Sequence, residues 1–189
     1  MAKTAKTFHS LPVAVITVSN RHTPQSDSSG DLLCQLLLQA GHQLVQRAIV
    51  PADVYQIRAL ISKLICDPQC QVILLNGGTG FAPDNNTVQA VRVLFDHEVA
   101  GFGELFRQLS FADIGSAALQ SNAVAGLANK KLLVAMPGSP NACELAMQML
   151  ILPQLDARQE PCNFVPFFAS ETGRTQSDRT GQSCCGENI

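Results

Sequence analysis

Apolar and polar positions along this chain fall into blocks. Leu11 to Val18 is nearly all apolar (Leu11, Val13, Ala14, Val15, Ile16, Val18), as expected of a parallel strand covered on both faces. A polar stretch, Ser19 to Gly30, leads into Leu32, Leu33, Leu36, Leu37 and Ala40, which recur at helical spacing. Gly41 stands where a helix ending in the left-handed region needs a glycine, and Gln43 to Val50 reads as a second strand that runs out at Pro51-Ala52-Asp53. Ile57, Leu60, Ile61, Leu64 and Ile65 then share one face of a helix that stops at Asp67-Pro68. Val72 to Leu75 follows as a third, buried strand. Strand and helix therefore alternate, which predicts βαβ units and a mostly parallel sheet with helices on both faces, a three-layer α/β/α architecture.

Right-handed crossovers collect the loops after these strands, 19–30, 51–53 and 76–87, along one edge of the sheet. The third strand ends in Gly77-Gly78-Thr79-Gly80, where glycines permit positive φ and expose backbone amides, a construction suited to anions. An ordinary strand-to-helix corner is the alternative reading. Asn85-Asn86-Thr87 precedes Val88, Val91, Leu94 and Phe95, predicting a helix N-terminus that points back at the loop. In the first loop, Asp27 or Ser29 is either a helix cap or a ligand contact. Gly101-Phe102-Gly103 reads as a turn, with a short helix from Glu104 and another over 114–119, as a lid or a subunit contact. Ala123 to Met136 reads as a hairpin pivoting at Asn129-Lys130. It ends in Pro137-Gly138-Ser139-Pro140, which presents Ser139 and neighbouring amides ahead of a further helix containing Ala142, Leu145, Ala146, Met149 and Leu150.

Composition narrows the function. The 189 residues are 46% hydrophobic, enough for one domain, placed at 1–168; the polar, aperiodic stretch 169–189 is expected to be a disordered tail. Only 15% of residues are charged, which predicts that part of the surface is covered by copies of the chain. Net charge is −2 and no basic run occurs, so nucleic acid and membrane are not expected partners, and any phosphate must be held locally. The polar N-terminal segment and the lack of a long apolar run lead to an expected cytoplasmic location. Seven scattered cysteines read as reduced thiols, with Cys34 and Cys143 as core fillers; Cys66 and Cys70 lack the partners that a structural zinc needs.

Ser19-Asn20-Arg21, Asp27-x-Ser29-Gly30, Ala40-Gly41-His42, Gly77-Gly78-Thr79-Gly80, 101–107 (Gly-Phe-Gly-Glu-Leu-Phe-Arg), Ser110-Phe111, Ile114-Gly115, 123–126 (Ala-Val-Ala-Gly) and Pro137-Gly138-Ser139-Pro140 stand in this order. Together they resemble the MoaB/MogA family of molybdenum cofactor biosynthesis, over residues 10 to 168. The ending 153–158 (Pro-Gln-Leu-Asp-Ala-Arg) with 161–164 (Pro-Cys-Asn-Phe) is similar to its bacterial MoaB branch. The resemblance implies a MogA-like fold, trimeric or hexameric, that binds molybdopterin, a pterin dithiolene carrying a phosphate. It implies ligand contacts from Ser19, Asp27, Ser29, Gly30, Gly77, Gly78, Thr79, Gly80, Glu104, Gly138, Ser139 and Pro140. Active relatives join molybdopterin to the α-phosphate of Mg-ATP, releasing pyrophosphate. They carry Asp directly after the proline that ends the second strand, and Asp at the fifth position after Gly-Gly-Thr-Gly. Here those positions are Ala52 and Asn85, with Asp53 and Asp84 one residue away as candidate substitutes. The resemblance therefore implies a molybdopterin or nucleotide binder with weak or absent adenylyl transfer, the alternative being an active molybdopterin adenylyltransferase.

Overall fold

Side chains along each central strand divide by parity between two cores. A computed structural model of the chain describes residues 6–168. The predicted tail at 169–189 lies outside these residues. Six strands, β1 (Pro12–Val18), β2 (Gln43–Val50), β3 (Val72–Asn76), β4 (His97–Glu98), β5 (Val124–Ala128) and β6 (Lys131–Met136), form one sheet in the order β2-β1-β3-β6-β5-β4. The first four in that order are parallel; β5 runs antiparallel to β6, and β4 to β5. Val13, Val15, Val72, Leu74, Leu132 and Val134 face one layer of helices, α1 (Ser28–Gln39), α4 (Ala100–Ile114) and α5 (Pro140–Ala146). Ala14, Ile16, Ile73, Leu75, Leu133 and Ala135 face the other, α2 (Val54–Cys66) and α3 (Thr87–Arg92). Two covered faces are the reason these strands read as unbroken apolar runs.

Because α1 and α3 pack on opposite faces, the connections that leave β1 and β3 diverge, and a crevice opens beyond the C-terminal ends of these two neighbouring strands. This is where the polar loops of the sequence gather. At the opposite edge, Asn129 (φ 46°) and Lys130 (φ 60°) both take the left-handed conformation, as the predicted two-residue hairpin turn requires. Gly41, at φ 88°, closes α1 as expected.

One expectation is corrected and two are refined. Residues 101–103 are not a turn: α4 starts at Ala100 and runs through both glycines. Gly103 is where the helix crosses β5, since a Cβ there would lie 2.7 Å from the Ala123 carbonyl oxygen; nothing in the structure accounts for Gly101. The segment after Ile114 is a 3-10 helix, Gly115–Gln120. The helix expected around Ala142 to Leu150 runs from α5 through a π-helical turn at Met147–Ile151 into α6 (Leu152–Leu155), and α7 (Val165–Phe168) follows later. Among the described residues no helix is long and apolar enough to cross a membrane.

Candidate functional site

Gly77 leaves β3 at φ 90° with its N–H donated to the Met136 carbonyl of β6 (3.1 Å), so the loop starts tied to the neighbouring strand. A Cβ on Gly77 would sit 2.6 Å from the Val18 carbonyl oxygen, and one on Gly78 (φ 62°) would sit 2.5 Å from Thr87 Oγ1. Only glycine satisfies both the torsions and the approach. The loop carbonyls turn inward: Thr87 Oγ1 donates to Gly77 O (2.7 Å) and Thr87 N–H donates to Gly78 O (3.0 Å). With the carbonyls taken, the N–H groups of Gly78, Thr79 and Gly80 have no acceptor among the described residues. The predicted N-terminus of α3 thus spends its first amide and hydroxyl on holding the loop.

The other predicted residues divide by position. Gly138 lies against the start of the loop, since a Cβ there would be 3.0 Å from Gly77 Cα; Ser139 and Pro140 follow it as the N-cap and first residue of α5, and Ser139 makes no side-chain capping bond. Ser29 Oγ donates to Gly138 O (2.7 Å), joining α1 to that turn. Ser19 Oγ accepts from the amides of Arg21 and His22, 3.0 Å each, which folds its own loop. Asp27 is only 1% exposed: Oδ1 accepts from Gly30 N–H (3.0 Å), Oδ2 from Thr17 Oγ1 (2.7 Å), and Arg47 Nη2 lies 3.4 Å away. It is the cap of α1, and Gly30 is required because any Cβ there would collide with the Asp27 carboxylate.

A small cleft of about 130 Å³ flanks the loop, lined by Ser19, Arg21, Ala52, Gly78, Asp84 and Asn85 among others. Ala52 is pinned there by two asparagines: its N–H donates to Asn20 Oδ1 (2.9 Å) and its carbonyl accepts from Asn86 Nδ2 (2.8 Å). Asp84 is exposed at this cleft. Asp53 is not among the lining residues; its Oδ1 accepts from Tyr55 N–H (3.1 Å) and Gln56 N–H (2.9 Å) as the N-cap of α2. Glu104 lies elsewhere, in a cleft of about 320 Å³ with Arg92, Glu98 and Arg107. Phe81, at the end of the glycine loop, lines that second cleft as well, so the loop is flanked on two sides. Arg21, Asn20 and Asn86 are absent from the predicted set, although Ser-Asn-Arg directly after a strand was the signal for the first two and Asn-Asn-Thr ahead of a helix for the third.

A magnesium ion held by the protein alone does not fit these residues. A hard dication takes carboxylate oxygens. Here the cleft offers one carboxylate, Asp84, and no group of three or more His, Cys, Asp or Glu placed to hold a metal occurs among the described residues. Cys143, beside the Pro137 turn, is fully buried, its thiol pushed up to about 12 by burial and donating to Pro137 O (3.3 Å); it is a neutral packing group.

Residues 14–157 match the family model described as "Probable molybdopterin binding domain". Molybdenum cofactor biosynthesis protein B of Escherichia coli (strain K12) is 48% identical over 166 residues, covering 88% of this chain and 98% of that protein. A crystal structure of a molybdenum cofactor biosynthesis protein B superimposes with a TM-score of 0.76 at 40% identity, over 78% of this chain and 92% of the other. A molybdopterin biosynthesis protein from Mycobacterium abscessus gives 0.71 at 28% identity, over 77% and 91%. Family model, sequence identity and superposition agree, and the chain belongs to the MoaB/MogA family of molybdenum cofactor biosynthesis proteins.

Proposed function

We propose that this protein binds molybdopterin in the cytoplasm as a homo-trimer or hexamer, grips its phosphate with the glycine loop, and transfers adenylate weakly or not at all. The observation that carries the reading is the set of N–H groups at Gly78, Thr79 and Gly80 that have no acceptor among the described residues, in a loop whose Gly77 and Gly78 carbonyls are taken by Thr87. Backbone amides bind a phosphate without a basic patch, which matches a chain of net charge −2. Gly138 packs against Gly77 at the start of the loop, and Ser139 follows it as the N-cap of α5 with no side-chain capping bond. Family membership supplies the rest of the ligand's identity.

Adenylyl transfer asks more of the site, because a triphosphate arrives with magnesium and needs carboxylates to position it. Ala52 and Asn85 occupy the positions where active relatives carry aspartate, and Asp53 already accepts two amide hydrogens as a helix cap. Removing one group aimed at developing charge costs about 10²–10³ in rate at comparable sites, and the losses need not multiply. One observation favours an active enzyme using Mg-ATP: Asp84 lines the same cleft as Ala52 and Asn85. Pyrophosphate release from molybdopterin and Mg-ATP decides between the readings, with the parent chain assayed beside an Ala52→Asp, Asn85→Asp double variant. Slow or absent release by the parent, raised in the double variant, is expected. Parent turnover equal to that of an active relative refutes the proposal and assigns the work to Asp84.

A further inference from the structure

The apolar face that β1 and β3 present to α1 ends in a polar pair. Below it, Val13 and Val15 adjoin Val72 and Leu74; at the last rung the paired residues are Thr17 and Asn76, both buried. Neither was singled out in the sequence, where Thr17 is lost within an apolar strand. Thr17 Oγ1 lies 2.7 Å from Asp27 Oδ2 and 2.9 Å from the atom placed as Asn76 Oδ1, two acceptors at once. The hydroxyl has one proton and two such neighbours. Donated to the carboxylate, the stronger acceptor, it leaves an oxygen lone pair that is satisfied when the Asn76 amide turns its Nδ2 toward Thr17. The order of donation is then Asn76 to Thr17 to Asp27, with Gly30 N–H and the Arg47 guanidinium completing the carboxylate's partners.

This chain of bonds ends at the residue immediately before the glycine loop. Asn76 is the last residue of β3, and Gly77, next to it, already lies under van der Waals constraint from Val18 and Gly138. Asp27 is too enclosed to touch a ligand, and its carboxylate is fully used within the fold. We infer that Thr17, Asp27 and Asn76 are positioning residues, a buried network that fixes the exit of β3 and so aims the Gly78–Gly80 amides at the phosphate. The inference rests on the phosphate reading above and reassigns Asp27 from ligand contact to support. A buried polar group left without its partner is costly, so the strand end moves when the hydroxyl is lost.

The test uses the full chain with Thr17→Val, which removes the hydroxyl at near-constant volume, and Thr17→Ser, which keeps it. Ile61→Val, in the core on the other face of the sheet, is the control for general destabilisation. Two quantities are measured on each: molybdopterin affinity by titration, and hydrogen exchange of the Gly78, Thr79 and Gly80 amides without ligand. Thr17→Val should weaken molybdopterin binding about tenfold or more and speed loop exchange, while Thr17→Ser and Ile61→Val stay within about threefold of the parent. Equal effects of Thr17→Val and Ile61→Val on both readouts overturn the inference. If the parent binds no molybdopterin, the functional reading fails, yet the exchange of the loop amides still supports or refutes the network.

Discussion

Gly77→Ala is the substitution on which the geometry of the loop bears most sharply. The torsion φ 90° lies in the region that residues with a Cβ avoid, at a cost of about 1–2 kcal/mol. The new methyl would also stand 2.6 Å from the Val18 carbonyl oxygen, a backbone atom in the middle of the sheet edge that has no rotamer to escape into. Relieving that contact means moving β1 or the loop, and overpacking of this kind costs about 1–3 kcal/mol. Together the expected loss is about 2–5 kcal/mol, equivalent to a fall in Tm of roughly 5–20 °C for a domain of this size. The same shift misplaces the amides of Gly78 and Thr79, so molybdopterin affinity should fall more than tenfold. Gly101→Ala is the internal comparison: it lies in the first turn of α4 with nothing within 4 Å of the added methyl, and should stabilise the protein by about 0.5 kcal/mol while leaving binding alone. Urea titration and calorimetry measure the stabilities, and fluorescence titration the affinity. A Gly77→Ala protein with the parent's Tm and affinity would show that the strained exit from β3 does not shape the loop.

Two further outcomes are expected. His42 is buried with Nδ1 accepting from Leu11 N–H (3.2 Å), and burial holds its pKa below the ordinary histidine value against an opposing attraction from Asp156. The unfolded chain therefore takes up more protons between that lowered value and about 6.5, so stability is whole above this window and falls as the pH drops through it; urea midpoints at pH 7.5 and 5.5 should differ less in His42→Gln than in the parent, and an unchanged difference would clear His42 of the effect. Phe111 is 61% exposed and Leu119 78% exposed along α4 and the 3-10 turn after it, an apolar strip that fits contact between copies; light scattering should give a trimer or hexamer for the parent and a smaller species for Phe111→Glu, and a monomeric parent would contradict the assembly.

Much of this fold was written in local pattern. Four parallel strands, the hairpin turn at Asn129-Lys130 and the glycine loop all announce themselves by runs of a single residue class or by residues that tolerate positive φ. What stayed hidden depends on distant partners. Gly101 and Gly103 look like a turn, and only the crossing of α4 over Ala123 shows why a helix carries a glycine at 103. The two-residue strand His97–Glu98 exists only because β5 offers it an edge. The conformation of the glycine loop could be read from sequence because positive φ and close backbone approach demand glycine at Gly77 and Gly78. Asp27 and Asp53 could not, since a carboxylate that caps a helix and one that meets a ligand look alike until burial and partners are known. Glu104 sits in the larger cleft across the loop from Asp84 and Asn85, a separation that no spacing in the chain reveals.

The most direct test is to titrate the parent protein with molybdopterin twice, once in excess EDTA and once in millimolar magnesium. Backbone amides need no metal to hold a phosphate, and the Ala52–Asn85 cleft offers magnesium only Asp84. Saturable binding with the same Kd in both buffers is the predicted result. Binding that appears only with magnesium, or no saturable binding in either buffer, would contradict a phosphate held by the amides of Gly78, Thr79 and Gly80.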